Sequence, residues 1–332
     1  MKDSIIFLDN ELIPTDDQLV RRLMPGVLKA RGVFETMRVY PTGKEGRKGK
    51  IFGLQEHFSR LKRGLKILQL ESPLSQKQMQ EALERVLELN HFTSARVRFI
   101  IWQDDTVKKI IDANGQRVLP LRTLPVLVPA RGKRTPCASP AGAEINVTGQ
   151  DDHREKVHAA IMAFAYDPFP AAQYRKGFKA IVSKTKLAAV SLLKEVKSLD
   201  YVPFLQAYRW AKARGYDETL LLNHRGEVVE GSRSNIFFLK DGKLCTPALA
   251  SGCLKGITRG AVIKIAQQMG IKVKQVRTVP QEFLNAREAF LTNSLIEVMP
   301  LTSIEGRSVG NGKAGPVTLR ILKEYRSVVS KS

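Results

Sequence analysis

The sequence predicts an α/β chain of two domains, and three observations carry that prediction. The chain has 332 residues, more than one hydrophobic core ordinarily serves. Its composition, 43% hydrophobic and 26% charged, is ordinary globular usage and excludes a disordered polymer. Short strand-like apolar runs also alternate with longer runs of helical period.

The elements follow in order. Ile5–Leu8 reads as a short strand and Val33–Tyr40 as a second. Lys44–Lys50 is a charged, Gly-containing hairpin tip, and Ile51-Phe52 returns from it. Phe58, Leu61, Leu65 and Leu68 then recur at helical spacing, as do Met79, Leu83, Val86 and Leu87 within Ser75–Asn90. Alternation in Arg96–Ile100 predicts a strand, with Arg96 and Arg98 on one face. From about Gln103 to Gln150 the pattern is poor and broken by five prolines, so the domain boundary is placed there, with domains at 1–140 and 141–332.

The second half is clearer. Pro203–Arg214 is a helix closed by Gly215. Thr219–Asn223 and Glu227–Glu230 are strands about a turn, and Asn235–Leu239 and Leu244–Thr246 form a hairpin about Asp241-Gly242. Thr258–Met269 is an amphipathic helix stopped by Gly270. Ile271–Val279 and Ala289–Thr292 are strands, and Pro316 opens a last helix carrying Leu319, Leu322 and Tyr325.

Charge and cysteines narrow the function classes. Fifty-four Lys+Arg against 32 Asp+Glu give a net charge of +22, which taken alone points to nucleic acid, an anionic membrane or an acidic small molecule. The basic residues are spread along the chain, aromatics are 7%, and no nucleic-acid-binding motif is present, so a nucleic-acid partner is the remote alternative. No apolar stretch reaches the ~18–20 residues that span a bilayer, so no membrane partner is expected. Cys137, Cys245 and Cys253 are odd in number and lack metal spacing, which fits a reducing, cytoplasmic setting without a metal site. The histidines are scattered and read as solvated surface residues.

Four separated segments offer groups suited to one phosphorylated, ring-bearing ligand. In Glu56-His57-Phe58-Ser59-Arg60-Leu61, Arg60 flanks the apolar stripe, where a guanidinium can grip phosphate; a solvated helix arginine fits the same spacing. Gly256-Ile257-Thr258-Arg259 opens a helix whose free N–H groups attract anions, or simply starts one. Lys197, in Lys197-Ser198-Leu199-Asp200-Tyr201, could lose its proton among apolar neighbours and attack an aldehyde, though a lone lysine in so basic a chain means little. Glu230 ends an apolar strand in Val228–Phe237, where a carboxylate could keep a ring nitrogen protonated, or where the strand merely turns.

In order and wording these segments resemble the class IV pyridoxal-phosphate enzymes of fold type IV, which include branched-chain aminotransferases, D-amino acid aminotransferases and 4-amino-4-deoxychorismate lyases. Gly32–Tyr40 and Leu291–Pro300 extend the resemblance, which runs from near residue 5 to near residue 325 and is weakest over 103–180.

The resemblance implies a small N-terminal α/β domain, a larger C-terminal pseudo-barrel domain that binds the cofactor, and a homodimer. It implies pyridoxal 5'-phosphate as cofactor. Lys197 would join its aldehyde carbon and move the substrate proton. Glu230 would pair with the pyridine nitrogen, and Tyr201 would donate to the ring oxygen. Arg60, the amides of Ile257 and Thr258, and Ser294 would hold the phosphate. Phe34 and Arg98 would meet the substrate.

Three positions depart from the family pattern. Asp200 stands where Asn is usual. Lys29-Ala30-Arg31-Gly32 replaces the usual Gly-Asp-Gly, and 103–180 diverges. The expected activity is amino-group transfer between a branched-chain or similar amino acid and a 2-oxo acid. Thr292-Asn293-Ser294-Leu295 also looks like the lyases, which release pyruvate and 4-aminobenzoate, and that is the alternative.

Overall fold

Strand β3, Arg31–Tyr40, packs its odd-numbered Val33, Met37 and Val39 into one core, while its even-numbered Phe34, Arg38 and Tyr40 meet Leu199, Glu297 and the other large core. The computed structural model describes residues 5–8, 10–14, 31–42, 49–104, 156–187 and 196–331. The expected hairpin tip at Lys44–Lys50 falls largely outside these residues, as do Cys137, His153 and the expected division at 140.

The first sheet is antiparallel and runs β2-β1-β6-β5-β3-β4, with β1 at Ile5–Leu8, β2 at Glu11–Pro14, β4 at Lys50–Ile51, β5 at Ala95–Asp104 and β6 at Lys156–Ala165. Helices α1, Leu54–Ile67, and α2, Gln76–Leu89, cover it. Helix α2 starts on a capping box, with Ser75 and Gln78 each bonding the other's backbone amide. Phe58, Leu61 and Leu65 of α1 bury against Val33, Met37 and Val39 of β3. Strand β6 belongs to this sheet although it lies beyond residue 140, so the sheets divide between β6 and the elements that follow it.

The second sheet has nine strands among the described residues and mixes parallel and antiparallel pairs. Its path is β12-β11-β10-β13-β14-β7-β8-β9, with β15, Arg307–Ser308, on β14. The ranges are β7 Phe178–Leu187, β8 Glu218–Asn223, β9 Val228–Gly231, β10 Asn235–Lys240, β11 Lys243–Pro247, β12 Val273–Val276, β13 Glu288–Asn293 and β14 Glu297–Ile304. The sheet curls until β9 touches β10 and β11, the pseudo-barrel that was expected.

Helices α3, Ala171–Lys176, α4, Val202–Lys212, α5, Ile257–Gln268, α6, Pro280–Leu284, and α7, Pro316–Lys331, surround it. The β10–β11 turn has Asp241 and Gly242 both at positive φ, as a two-residue hairpin requires. The expected strand at Ile271–Val279 is shorter, Val273–Val276, because Pro280 opens α6 close behind it. Helix α7 buries Ile321, Leu322 and Tyr325 but leaves Leu319 exposed, so its stripe is turned from the expected one.

Candidate active site

Lys197 is positioned by backbone pairing rather than by a helix or a long strand. Phe34 N donates to Lys197 O at 2.8 Å and Leu199 N to Gly32 O at 3.0 Å, so residues 197–199 run as a short extra strand along β3. Gly32 itself is required by β5 on the other side, since a Cβ there would lie 2.4 Å from the Ile101 carbonyl oxygen. The Lys197 ammonium sits 4.5 Å from the centre of the Phe34 ring and 5.5 Å from that of Tyr201. It makes no ion pair among the described residues. Burial, then the guanidiniums of Arg60 and Arg98, pull its pKa down to about 8.

Lys197 opens into a cavity of about 1210 Å³ between the sheets. All the expected site residues line it: Phe34, Arg60, Arg98, Lys197, Tyr201, Glu230, Ile257, Thr258 and Ser294. Glu230 is buried on β9. Its Oε2 accepts from Leu254 N at 3.0 Å and Asn235 Nδ2 at 3.1 Å. Burial nevertheless pushes its pKa up to about 7, so it is poised to take a cationic or N–H partner.

The turn after Glu230 is wrapped around a second buried carboxylate, Glu218. That group accepts from Ser232 N at 3.0 Å, Ser234 Oγ at 2.9 Å, Arg233 N at 3.3 Å and the Ser232 hydroxyl.

One end of the cavity gathers groups that could hold an anion. Helix α5 starts at Gly256 with no side-chain cap, and its first ladder bond runs from Gly260 N to Gly256 O, ahead of which lie the amides of Ile257 and Thr258. A Cβ on Gly256 would fall 2.0 Å from Asn235 Oδ1, so only glycine lets the helix start here. Arg60 reaches this end from α1, and its Nη1 donates to Lys255 O at 3.3 Å. Ser294 lies on the turn between β13 and β14. Thr292 Oγ1 and Ser251 Oγ, on residues that line the cavity, are themselves buried with no hydrogen-bond partner.

The residue that orients Arg60 escaped the sequence reading. Glu35 takes Arg60 Nε at 2.7 Å and Nη2 at 2.6 Å, and His57 Nδ1 lies 2.8 Å from its Oε2. All three are buried, so His57 departs from the expectation of a solvated histidine, while His91 and His224 are exposed as expected. Arg60 and His57 outweigh desolvation and hold the Glu35 pKa down to about 2, while burial lowers that of His57. A signal for Glu35 was present: it breaks the apolar set Val33, Met37 and Val39 on the buried face of β3.

Tyr201, Asp200, Arg98 and Arg96 stand along the cavity wall. The Tyr201 hydroxyl donates to Ser232 O at 2.7 Å, and its ring meets Phe34 edge-on at 5.3 Å. Burial raises its pKa, so it stays a donor. Asp200 is exposed at the cavity wall. Arg98 lies over the Phe34 ring at 4.1 Å, and Arg96 lies near Phe164 at 5.1 Å. Neither arginine pairs with a carboxylate among the described residues. No cluster of metal-ligating side chains occurs among those residues, and no helix there is long and apolar enough to cross a membrane.

Comparison with known proteins gives one consistent result. The family model for amino-transferase class IV matches residues 32–139 and 123–304. A branched-chain-amino-acid aminotransferase of Pseudomonas aeruginosa is 28% identical over 332 residues, covering 99% of this chain and 94% of its own. That of Escherichia coli strain K12 is 29% identical over 328 residues, covering 98% and 92%. A solved branched-chain amino acid aminotransferase from T.th., in complex with pyridoxamine 5'-phosphate, superposes with a TM-score of 0.77 at 26% identity, covering 100% of this chain and 95% of that one.

Proposed function

The chain belongs to the class IV aminotransferase family, and from that premise we propose that it moves amino groups between a branched-chain or similar amino acid and a 2-oxo acid. Its cofactor is pyridoxal 5'-phosphate, which supplies the electron sink for the carbanion formed at the substrate Cα. The observation that carries the reading is one cavity holding an amine with a lowered pKa, a carboxylate with a raised one, and an uncapped helix start beside an arginine.

The residues divide the work. Lys197, with a pKa of about 8, presents a useful fraction of free amine near neutral pH. Its amine would hold the cofactor at the aldehyde carbon and, when free, would carry the proton between the substrate Cα and cofactor carbon C4′. Glu230 holds a proton on the pyridine nitrogen, and a cationic ring beside it favours its ionised form. Arg60 and the Ile257 and Thr258 amides bind the phosphate, with the Ser294 hydroxyl beside them. Tyr201, its hydroxyl held by Ser232 O, would stand beside the ring oxygen, and Phe34 and Arg98 would face the substrate.

Branched-chain substrates are supported by the names of the relatives and by apolar lining from Phe34, Ile100, Met162 and Phe164. A half-reaction tests the proposal. Holoenzyme is incubated separately with L-leucine, D-alanine and aminodeoxychorismate. Formation of pyridoxamine 5'-phosphate with L-leucine supports it. Pyruvate from aminodeoxychorismate alone, with no pyridoxamine 5'-phosphate formed, overturns it in favour of the lyase.

A cytoplasmic homodimer completes the proposal. Val202 and Leu205 on α4 and Phe169 are exposed apolar side chains among the cavity-lining residues, a rim that a second copy would cover. Light scattering that gives a monomer mass at micromolar concentration would refute the dimer.

A further inference from the structure

The turn that carries Ser294 is tied down from every side. Asn293 Oδ1 accepts from Leu295 N at 2.8 Å and Ile296 N at 2.9 Å, and Asn293 Nδ2 donates to Arg233 O at 2.9 Å. Leu295 O accepts from Tyr166 Oη at 2.9 Å and Arg38 Nη1 at 3.2 Å. The turn closes on Glu297, a non-glycine residue at φ 57°, a backbone state that costs energy and persists only where surrounding contacts impose it.

Those contacts converge on the Glu297 carboxylate. Arg38 Nη1 from β3 lies 3.0 Å from Oε1. From α7, Arg326 Nε and Nη2 lie 2.8 and 2.7 Å from Oε2, and Tyr174 Oη donates to the same oxygen at 3.2 Å. Glu297 is 2% exposed and Arg38 6%. Arg326 is half-exposed, so the C-terminal helix reaches the buried carboxylate with a side chain that solvent also reaches. One residue earlier on α7, buried Tyr325 presents its hydroxyl to Thr258 at the start of α5.

We propose that Glu297 and Arg326 are positioning residues for the cofactor phosphate, and that helix α7 latches the Ser294 turn against the α5 N-terminus through them. The proposal rests on the cofactor reading above. Neither residue touches the phosphate; they fix the turn that does. Linkage makes the effect reciprocal, so a bound phosphate also holds α7 in place.

The test titrates wild-type and Arg326→Met apoenzyme with pyridoxal 5'-phosphate and, separately, with pyridoxal, which lacks the phosphate. Arg326 is chosen because it is half-exposed and its loss leaves Arg38 still on Glu297. The expected result is about a tenfold rise in the dissociation constant for pyridoxal 5'-phosphate, with that for pyridoxal moving less than about twofold. Arg326→Lys restores part of the difference. Hydrogen exchange across 316–331 slows when pyridoxal 5'-phosphate binds the wild type, and slows less in Arg326→Met.

A parallel weakening of both ligands means a general structural role and overturns the latch. So does an unchanged dissociation constant in a folded variant. Wild type that binds pyridoxal 5'-phosphate no better than Lys197→Ala removes the cofactor reading itself, and the latch with it.

Discussion

Arg60 gives Glu35 two parallel hydrogen bonds, from Nε at 2.7 Å and Nη2 at 2.6 Å, and thereby aims the rest of its guanidinium at the start of α5. A fork bound on one edge cannot swing, so a phosphate held at the start of α5, as proposed, would meet a fixed cation instead of a mobile one. The same pair lets a strand bury a carboxylate among Val33, Met37 and Val39.

Glu35→Gln should therefore weaken both fold and cofactor binding. It leaves Arg60 without its counter-charge in a buried place, and breaking one side of such a pair costs about 3–5 kcal/mol. Urea unfolding of the apoenzyme measures the first effect and cofactor titration the second. An unchanged midpoint and affinity would show that the pair is dispensable.

Acid should expose the same group. The Glu35 pKa falls from an ordinary 4.5 to about 2 on folding, so the unfolded chain takes up its proton first as pH drops. Its contribution is whole above about pH 4.5 and is lost toward pH 2, roughly 3 kcal/mol in all. Glu35→Gln should flatten that limb of the stability curve relative to wild type.

Lys197 and Glu230 should shape the other limbs of the apoenzyme curve, with opposite signs. The Glu230 pKa rises from 4.5 to about 7 on folding, so the native state binds the extra proton and stability falls as pH climbs through that window. The Lys197 pKa drops from 10.5 to about 8, so the unfolded state binds the extra proton and stability recovers between about 8 and 10.5. A minimum near pH 7–8 follows. Glu230→Gln should remove its acid side and Lys197→Met its alkaline side in thermal unfolding scans.

What the sequence made legible is what local pattern encodes. The β10–β11 hairpin was readable because Asp241-Gly242 must take positive φ, and α2 because its stripe is regular. That Lys197, Arg60 and Glu230 share one cavity was readable because each stands in a segment that resembles the family's. Their supports were not, because each depends on contact between distant segments: Glu35 with Arg60 is 25 residues apart, and Arg38 with Leu295 is 257. Strand β6 escaped because its alternation follows a long aperiodic stretch, and its register is set by β5 and β1.

Arg98 and Arg96 should separate acidic from apolar substrates. Both point from β5 into the cavity beside Phe34 and Phe164, and burial together with Arg96 lowers the Arg98 pKa. A substrate carboxylate would relieve that strain. Arg98→Gln should lower kcat/KM for 2-oxoglutarate by about 10–100-fold, the scale of one lost charged hydrogen bond, while leucine falls less. Arg96→Gln, farther out and exposed, should do the same more weakly. Equal losses for both substrates would assign these arginines to the fold.

Glu218 should prove as necessary as Glu230, though it lies outside the reacting centre. Its carboxylate collects the amides of Ser232 and Arg233 and the hydroxyls of Ser232 and Ser234, and so shapes the turn whose Ser232 carbonyl holds the Tyr201 hydroxyl. Glu218→Ala strands several buried donors at once, at about 1–3 kcal/mol for each left unpaired. Glu218→Gln keeps the acceptor oxygen and removes the charge, so it should recover part of the loss. Glu218→Ala should also shift the visible absorbance of the bound cofactor, because Tyr201, proposed to stand beside the ring oxygen, loses its anchor on Ser232 O. A variant that loses stability with an unchanged spectrum would show that the turn shapes the fold without reaching the cofactor.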